Sequence, residues 1–254
     1  MDNPREGTGH TAISITQALG EGNEKVRTDL TDITIILDRS GSMEGISSDA
    51  IGGVNAFLED QAKAPTEANV TLTQFDNEYE VVYSGRPVKE APKLTRETYH
   101  PRGSTSLYDA ICRTIDETGK RLEAIAEDQR PGLVIVAIVT DGYENSSKMF
   151  SIHDVNERIT RQRDQWQWQI LFLAANQDAI ATAAHLGINA ANAISWGATA
   201  RGTRQVMNSV SSNVRSARAS YAVSKSVGVA GQSLGFTDEQ RDEQKDEIAK
   251  KAKH

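Results

Sequence analysis

The segment Asp32-Ile-Thr-Ile-Ile-Leu-Asp38, followed at once by Arg-Ser-Gly-Ser, constrains the chain more than any other. A β-branched and aliphatic run without polar alternation predicts a strand buried on both faces, as in a parallel sheet covered by helices. The switch to Ser and Gly breaks that strand into a loop at its carboxyl end. Open α/β sheets bind ligands outside the carboxyl ends of their strands, so Asp38, Ser40 and Ser42 stand where a site would form.

The rest of the chain alternates in the same manner. A helical stripe of Ile46, Ala50, Val54, Phe57 and Leu58 follows the loop, with Gln61 as its polar departure. Asn69–Phe75 and Glu80–Tyr83 alternate around Asp76-Asn77, which predicts a hairpin and an antiparallel edge. Ser106 opens a helix carrying Leu107, Ala110, Ile111, Ile115 and Leu122, and Leu133–Thr140 is a second continuous apolar strand, ending in Asp141-Gly142. A helix over about Ile152–Gln165, a strand at Trp168–Ala174, a helix near Gln177–Leu186 and a short strand at Ala193–Trp196 complete the series. The expected fold is α/β: a doubly wound, Rossmann-like, mostly parallel six-stranded sheet with one antiparallel edge strand and helices on both faces.

The 254 residues divide on this reading into an N-terminal arm (1–29), the α/β domain (30–200), an amphipathic helical extension (201–235) and a charged tail (236–254). In the extension Val206, Val210, Val214, Ala217 and Tyr221 share a helical face, while Arg201, Arg204, Arg215 and Arg218 are read as solvated. Thr237 and Gln240 have the spacing of a capping box, and the tail is expected to be a solvated helix or frayed end outside the core.

Charge and composition narrow the function. With 28 Lys+Arg against 35 Asp+Glu, the net charge of −7 argues against general binding to a phosphate backbone. No apolar run approaches the roughly eighteen residues of a membrane span, and the first residues lack a secretory leader pattern, so a cytoplasmic location is expected. The single cysteine, Cys112, fits a reducing setting and is expected to be packed. The five histidines are scattered, which disfavours zinc. Trp166, Trp168 and Trp196 flank strands and are read as core or rim packing.

Five oxygen-bearing residues are placed to converge at the sheet edge: Asp38, Ser40 and Ser42, Thr105 in Arg102-Gly-Ser-Thr-Ser-Leu-Tyr-Asp109, and Asp141 in Thr140-Asp-Gly. Carboxylates and hydroxyls are hard ligands suited to Mg²⁺ or Mn²⁺. Two carboxylates with three neutral oxygens leave a divalent cation open to a further anionic ligand.

These motifs, in this order and on these elements, resemble those of the von Willebrand factor A (vWA) domain over about residues 30–200. The resemblance implies a metal-ion-dependent adhesion site (MIDAS) formed by Asp38, Ser40, Ser42, Thr105 and Asp141, at which a partner's Asp or Glu carboxylate completes the coordination. It implies a non-enzymatic, metal-dependent protein-binding adaptor. Stand-alone intracellular members in bacteria and phages are often adaptors, some acting with MoxR-type AAA+ ATPases or with stress-response kinases and phosphatases. One departure is Ser104, where the family commonly has a second glycine.

Around the ligand set, Asp109 is expected to support the loop that presents Thr105, and Asn145 to cap the turn after Asp141. Glu144 is read as a rim charge, and Asn176-Gln177-Asp178 as a helix N-cap. Specificity is expected from the loops at about Met43–Gly45, Arg86–Gly103 and Tyr143–Met149.

Two alternatives compete with this reading. A Mg²⁺-dependent phosphotransfer enzyme of haloacid-dehalogenase-like type would need Asp-x-Asp at the end of the first strand, where this chain has Asp38-Arg39-Ser40. No nucleophile elbow, Walker lysine motif or dinucleotide-binding glycine motif is present. The other alternative is a structural or assembly protein with a degenerate metal site.

Overall fold

The computed structural model describes residues 26–175, 178–227 and 234–251. Most of the expected N-terminal arm, Asn176, Gln177 and the last three residues of the tail lie outside them. Among the described residues, six strands form one sheet: β1 (Arg27–Asp38), β2 (Glu67–Phe75), β3 (Tyr79–Pro87), β4 (Pro131–Thr140), β5 (Gln169–Ala175) and β6 (Ala193–Trp196). Their order is β3-β2-β1-β4-β5-β6, and the β2–β3 hairpin is the antiparallel pair. Strand order reverses between β1 and β4, which run parallel with Ile33 opposite Ile135 and Leu37 opposite Val139. This reversal sets Asp38 and Asp141 side by side at the carboxyl edge, at the topological switch point.

The helices are α1 (Ser47–Ala62), α2 (Leu107–Glu123), α3 (Ile152–Trp166), α4 (Ala179–His185), α5 (Ala200–Val227) and α6 (Asp238–Lys251). Alternation along the strands sends side chains to two cores. Ile33, Ile35 and Leu37 join Ile135, Ala137 and Val139 in a layer with Phe57, Val206 and Val210 from α1 and α5. Ile36, Val134, Val136 and Ile138 join Ile111, Ile115 and Ile159 from α2 and α3 on the other face. Each such buried aliphatic side chain contributes roughly 1.5–3 kcal/mol relative to an exposed one, so the central strands are anchored from both sides.

The local chemistry explains several boundaries. Ser151 and Asp154 form a reciprocal capping box at the start of α3, and Gln167 ends that helix in the left-handed region at φ 58°. Asp178 caps α4 through the N–H groups of Ile180 and Ala181, as expected for its triplet.

The C-terminal region departs from expectation. Helix α5 extends beyond Thr203–Ser224 and lies along α1, where Gly53 leaves room for Met207; a Cβ at Gly53 would stand 2.7 Å from Met207 Cγ. Arg218, expected on a solvated face, is 1% exposed and donates to the Gln61 carbonyl and side chain and to the Thr66 carbonyl. The periodicity places it one turn from Val214, so the helix face that is apolar by composition also carries this guanidinium into the core.

The charged tail is likewise packed. Gln240 and Thr237 form the expected capping box, yet Gln244 and Glu247 are 1% and 3% exposed. Gln244 accepts from Gly197 N–H, and Glu247 accepts from the Thr199 hydroxyl. Polar pairing rather than an apolar stripe docks α6, which is why hydropathy reads it as solvent. Trp168 and Trp196 are buried, but Trp166 is 63% exposed at the end of α3 and packs in neither core.

Candidate metal site

Asp38 ends β1 and is wholly buried. One carboxylate oxygen accepts the Ser40 N–H at 2.6 Å, and the other accepts the Thr140 hydroxyl at 2.6 Å. Tyr99 donates its hydroxyl to the Asp38 carbonyl at 2.7 Å, pinning the strand end. Burial pushes the Asp38 carboxyl up to about 6; the Thr140 and Ser40 hydrogen bonds pull it down, and the charge of Asp141 pushes it up again. Two neighbouring carboxylates at a buried sheet edge create a strong local demand for positive charge.

The hydroxyls gather opposite them. Ser40 and Ser42 hydroxyls are 3.1 Å apart, and Ser42 donates to Asp141 Oδ1 at 2.6 Å. Gly142 marks where all three converge: a Cβ there would stand 3.2 Å from Thr105 Oγ1, 3.5 Å from Ser42 Oγ and 4.0 Å from Ser40 Oγ. Glycine at this position keeps the space among the hydroxyls clear.

Backbone bonds hold the presenting loops together. Gly41 N–H donates to the Gly103 carbonyl and Arg102 N–H to the Arg39 carbonyl, joining the first loop to the loop that carries Thr105. Gly103 has φ +65°, and a Cβ there would fall 2.0 Å from Asn77 Oδ1, so a larger residue would strain the backbone and displace the Asn77 side chain. Ser104 is accommodated without strain, since Gln167 is the non-glycine residue with positive φ among the described residues.

Asn145 and Asp109 act differently from expectation. Asn145 clamps Thr105 from both sides, its side chain accepting Thr105 N–H at 2.9 Å and its own N–H donating to the Thr105 carbonyl at 3.0 Å. Asp109 supports not the Thr105 loop but the loop after β4, accepting the N–H groups of Lys148, Met149 and Phe150. Its place on the first turn of α2 faces that loop.

Three residues were missed or misread in the sequence. Thr140 precedes Asp141 in the motif, and its hydroxyl fixes Asp38; being the last residue of an apolar strand, it reads as core. Glu144, read as a rim charge, accepts the N–H groups of Tyr108, Ser146 and Ser147. It therefore ties the start of α2 to the loop after β4, and no sequence spacing signals this contact. Met43, placed in a specificity loop, is wholly buried, while its neighbours Glu44 and Gly45 are exposed.

No protein-family model and no curated protein matches this sequence. Solved structures do. The open conformation of the pilus adhesin SpaC from Lactobacillus rhamnosus GG aligns with 73% of this chain and 30% of its own, at 13% identity and a TM-score of 0.55. Proximal thread matrix protein 1 from the mussel byssus aligns with 72% of this chain and 45% of its own, at 13% identity and a TM-score of 0.52. A von Willebrand factor type A structure from Catenulispora acidiphila aligns with 73% of this chain and 42% of its own, at 14% identity and a TM-score of 0.50.

The fold is of the vWA type. The chain spans less than half the length of each of these structures. At the carboxyl edge of this vWA-type sheet, the five predicted residues form one cluster of two carboxylates and three hydroxyls. Among the described residues no three His, Cys, Asp or Glu side chains gather to hold a metal, here or elsewhere, so this cluster depends on its hydroxyls as well as its two carboxylates. No described helix is long and apolar enough to cross a membrane.

Proposed function

We propose that this chain is a non-enzymatic, metal-dependent protein-binding module that captures a partner's Asp or Glu carboxylate. Asp38, Ser40, Ser42, Thr105 and Asp141 hold a divalent cation, Mg²⁺ or Mn²⁺. The observation that carries this reading is the convergence of three hydroxyls on the space beside Gly142, next to two carboxylates. The donor set fits: each carboxylate oxygen that accepts a hydrogen bond keeps further lone-pair capacity, and neutral hydroxyls leave much of a dication's charge uncompensated. When bound, the cation supplies Lewis acidity toward an incoming carboxylate.

The protein's own residues do the rest. Thr140 and the Ser40 N–H hold Asp38 in one orientation, Asn145 fixes the Thr105 backbone, and Glu144 and Asp109 set the loop that surrounds Asp141. A rigid sheet edge of this kind lowers the ordering cost of binding. Exposed Tyr143 and Met149 on the same loop supply rim surface for a partner. A cytoplasmic setting and an adaptor role beside an AAA+ ATPase of the MoxR type, or a stress-response kinase or phosphatase, are part of this proposal.

The test is a calorimetric titration of the EDTA-stripped chain with Mg²⁺ and Mn²⁺, beside Thr105→Ala and Asp141→Ala. Saturable one-site binding lost in both variants supports the reading. Equal binding by the variants overturns it.

A further inference from the structure

Beside the metal site lies a cavity of about 220 Å³ between the β2–β3 turn, the first half of α2 and the loop after β4. Asn77, Tyr79, Ser106, Arg113, Lys148 and Met149 line it. Ser106 follows Thr105 directly, so the cavity begins one residue from the proposed ligand set. Its charges are unevenly matched. The carboxylates on its wall are engaged: Asp109 accepts three backbone N–H groups, and Glu78 accepts from Arg102.

Its cations are not paired in this way. The Arg113 guanidinium lies over the Tyr79 ring, 4.2 Å from the centroid, and neither Arg113 nor Lys148 forms an ion pair with a carboxylate among the described residues. Arg113 and Lys148 share the groove with Glu78 and Asp109, but both carboxylates already accept hydrogen bonds and neither cation is in an ion pair among the described residues. Met149, 67% exposed, adds an apolar edge beside them.

We propose that this groove is a second anchor for the captured partner: an acidic segment with one carboxylate at the metal site and a second Asp or Glu held by Arg113 and Lys148. This rests on the carboxylate-capture reading and extends it from a single acidic residue to a paired motif. Stacking on Tyr79 orders the Arg113 guanidinium before the partner arrives, and charge complementarity selects acidic over basic segments. An apolar partner side chain between the two acids packs on Met149.

The test uses labelled synthetic peptides carrying one Glu, two Glu separated by Gly-Ser spacers of increasing length, or one Glu and one phosphoserine, each titrated with Mn²⁺ present. At the matching spacing the paired peptide should bind about tenfold more tightly than the single-Glu peptide. The advantage should vanish in the Arg113→Gln/Lys148→Gln double variant, with Mn²⁺ affinity unchanged.

Equal binding of single and paired peptides at every spacing, including no binding of either, overturns the proposal. So does an advantage that survives the double variant. Stronger binding of the phosphoserine peptide overturns the assignment to a carboxylate. A paired-peptide advantage that depends on Arg113 and Lys148 but survives EDTA and Asp141→Ala keeps the groove and refutes metal capture, so the two readings fail separately.

Discussion

The carboxylate of Asp76, wholly buried at the β2–β3 turn, accepts the Nε–H of Arg39 at 3.0 Å. It also accepts Arg102 Nε–H at 2.8 Å, and its backbone carbonyl accepts Ser106 N–H at 3.0 Å. Arg39 sits between Asp38 and Ser40, and Arg102 opens the segment that carries Thr105. One carboxylate outside the ligand set thus fixes both loops that present it.

Asp76→Asn keeps the side-chain shape and removes the charge. Mn²⁺ affinity should fall about 10- to 100-fold, the usual cost of disturbing residues that orient ligands. A titration followed by electron paramagnetic resonance reads this, with circular dichroism to establish that the sheet persists. Unchanged affinity would show that the two loops hold their positions without Asp76.

Gly142→Ala tests the space among the hydroxyls. The added methyl would crowd Thr105 and Ser42 at 3.2 and 3.5 Å, at a cost of about 1–3 kcal/mol if the loop must shift. Metal binding should weaken more than thermal stability does. Glu90→Ala, an exposed position on the short turn after β3 with no hydrogen bond to the site residues among those described, should leave metal affinity within error.

The α1–α5 contact carries a pH dependence. The Ser211 hydroxyl, and then Arg215, hold the Asp60 carboxyl below its usual value. A depressed folded-state value favours the ionised form, so this stabilisation is present above the unfolded value of about 3.9 and is lost as pH falls through the folded value. The Tm difference between the parent and Asp60→Asn should be constant from neutral pH to about pH 5 and shrink in strong acid. At neutral pH it should correspond to about 1 kcal/mol, because the pair is partly solvated.

Arg218→Ala removes a buried cation and takes a donor from the Thr66 carbonyl and the Gln61 side-chain oxygen, while the Gln61 carbonyl keeps the Ala64 N–H. The expected loss is about 2–4 kcal/mol, read by chemical denaturation. Arg218→Met restores the volume and should recover part of it. A change below about 0.5 kcal/mol for the alanine variant would place the arginine in solvent, as the sequence suggests.

The sequence was most informative where side-chain pattern and backbone state coincide. Ile33 to Leu37 and Leu133 to Val139 read directly as doubly buried strands, and the polar residues that follow them fell at the switch point. Ala193–Trp196 was legible even as a four-residue strand. What the pattern does not carry is contact that spans the chain without periodicity. Glu144 meets the start of α2 across 36 residues, and Asn145 meets Thr105 across 40. Arg218 and Gln244 escaped for a related reason: polar side chains that bury themselves by hydrogen bonding have the composition of solvent-facing ones.

Helix α6 has a consequence beyond its own packing. Arg241 donates to the carbonyls of Ala190, Ala191 and Ala193, and Gln244 accepts from Gly197 N–H, so backbone groups at both ends of β6 are occupied by the helix. A short outer strand with free backbone groups is a template on which another chain can add. The most charged segment of the protein therefore covers both ends of the sheet's last strand, where bare backbone would invite pairing.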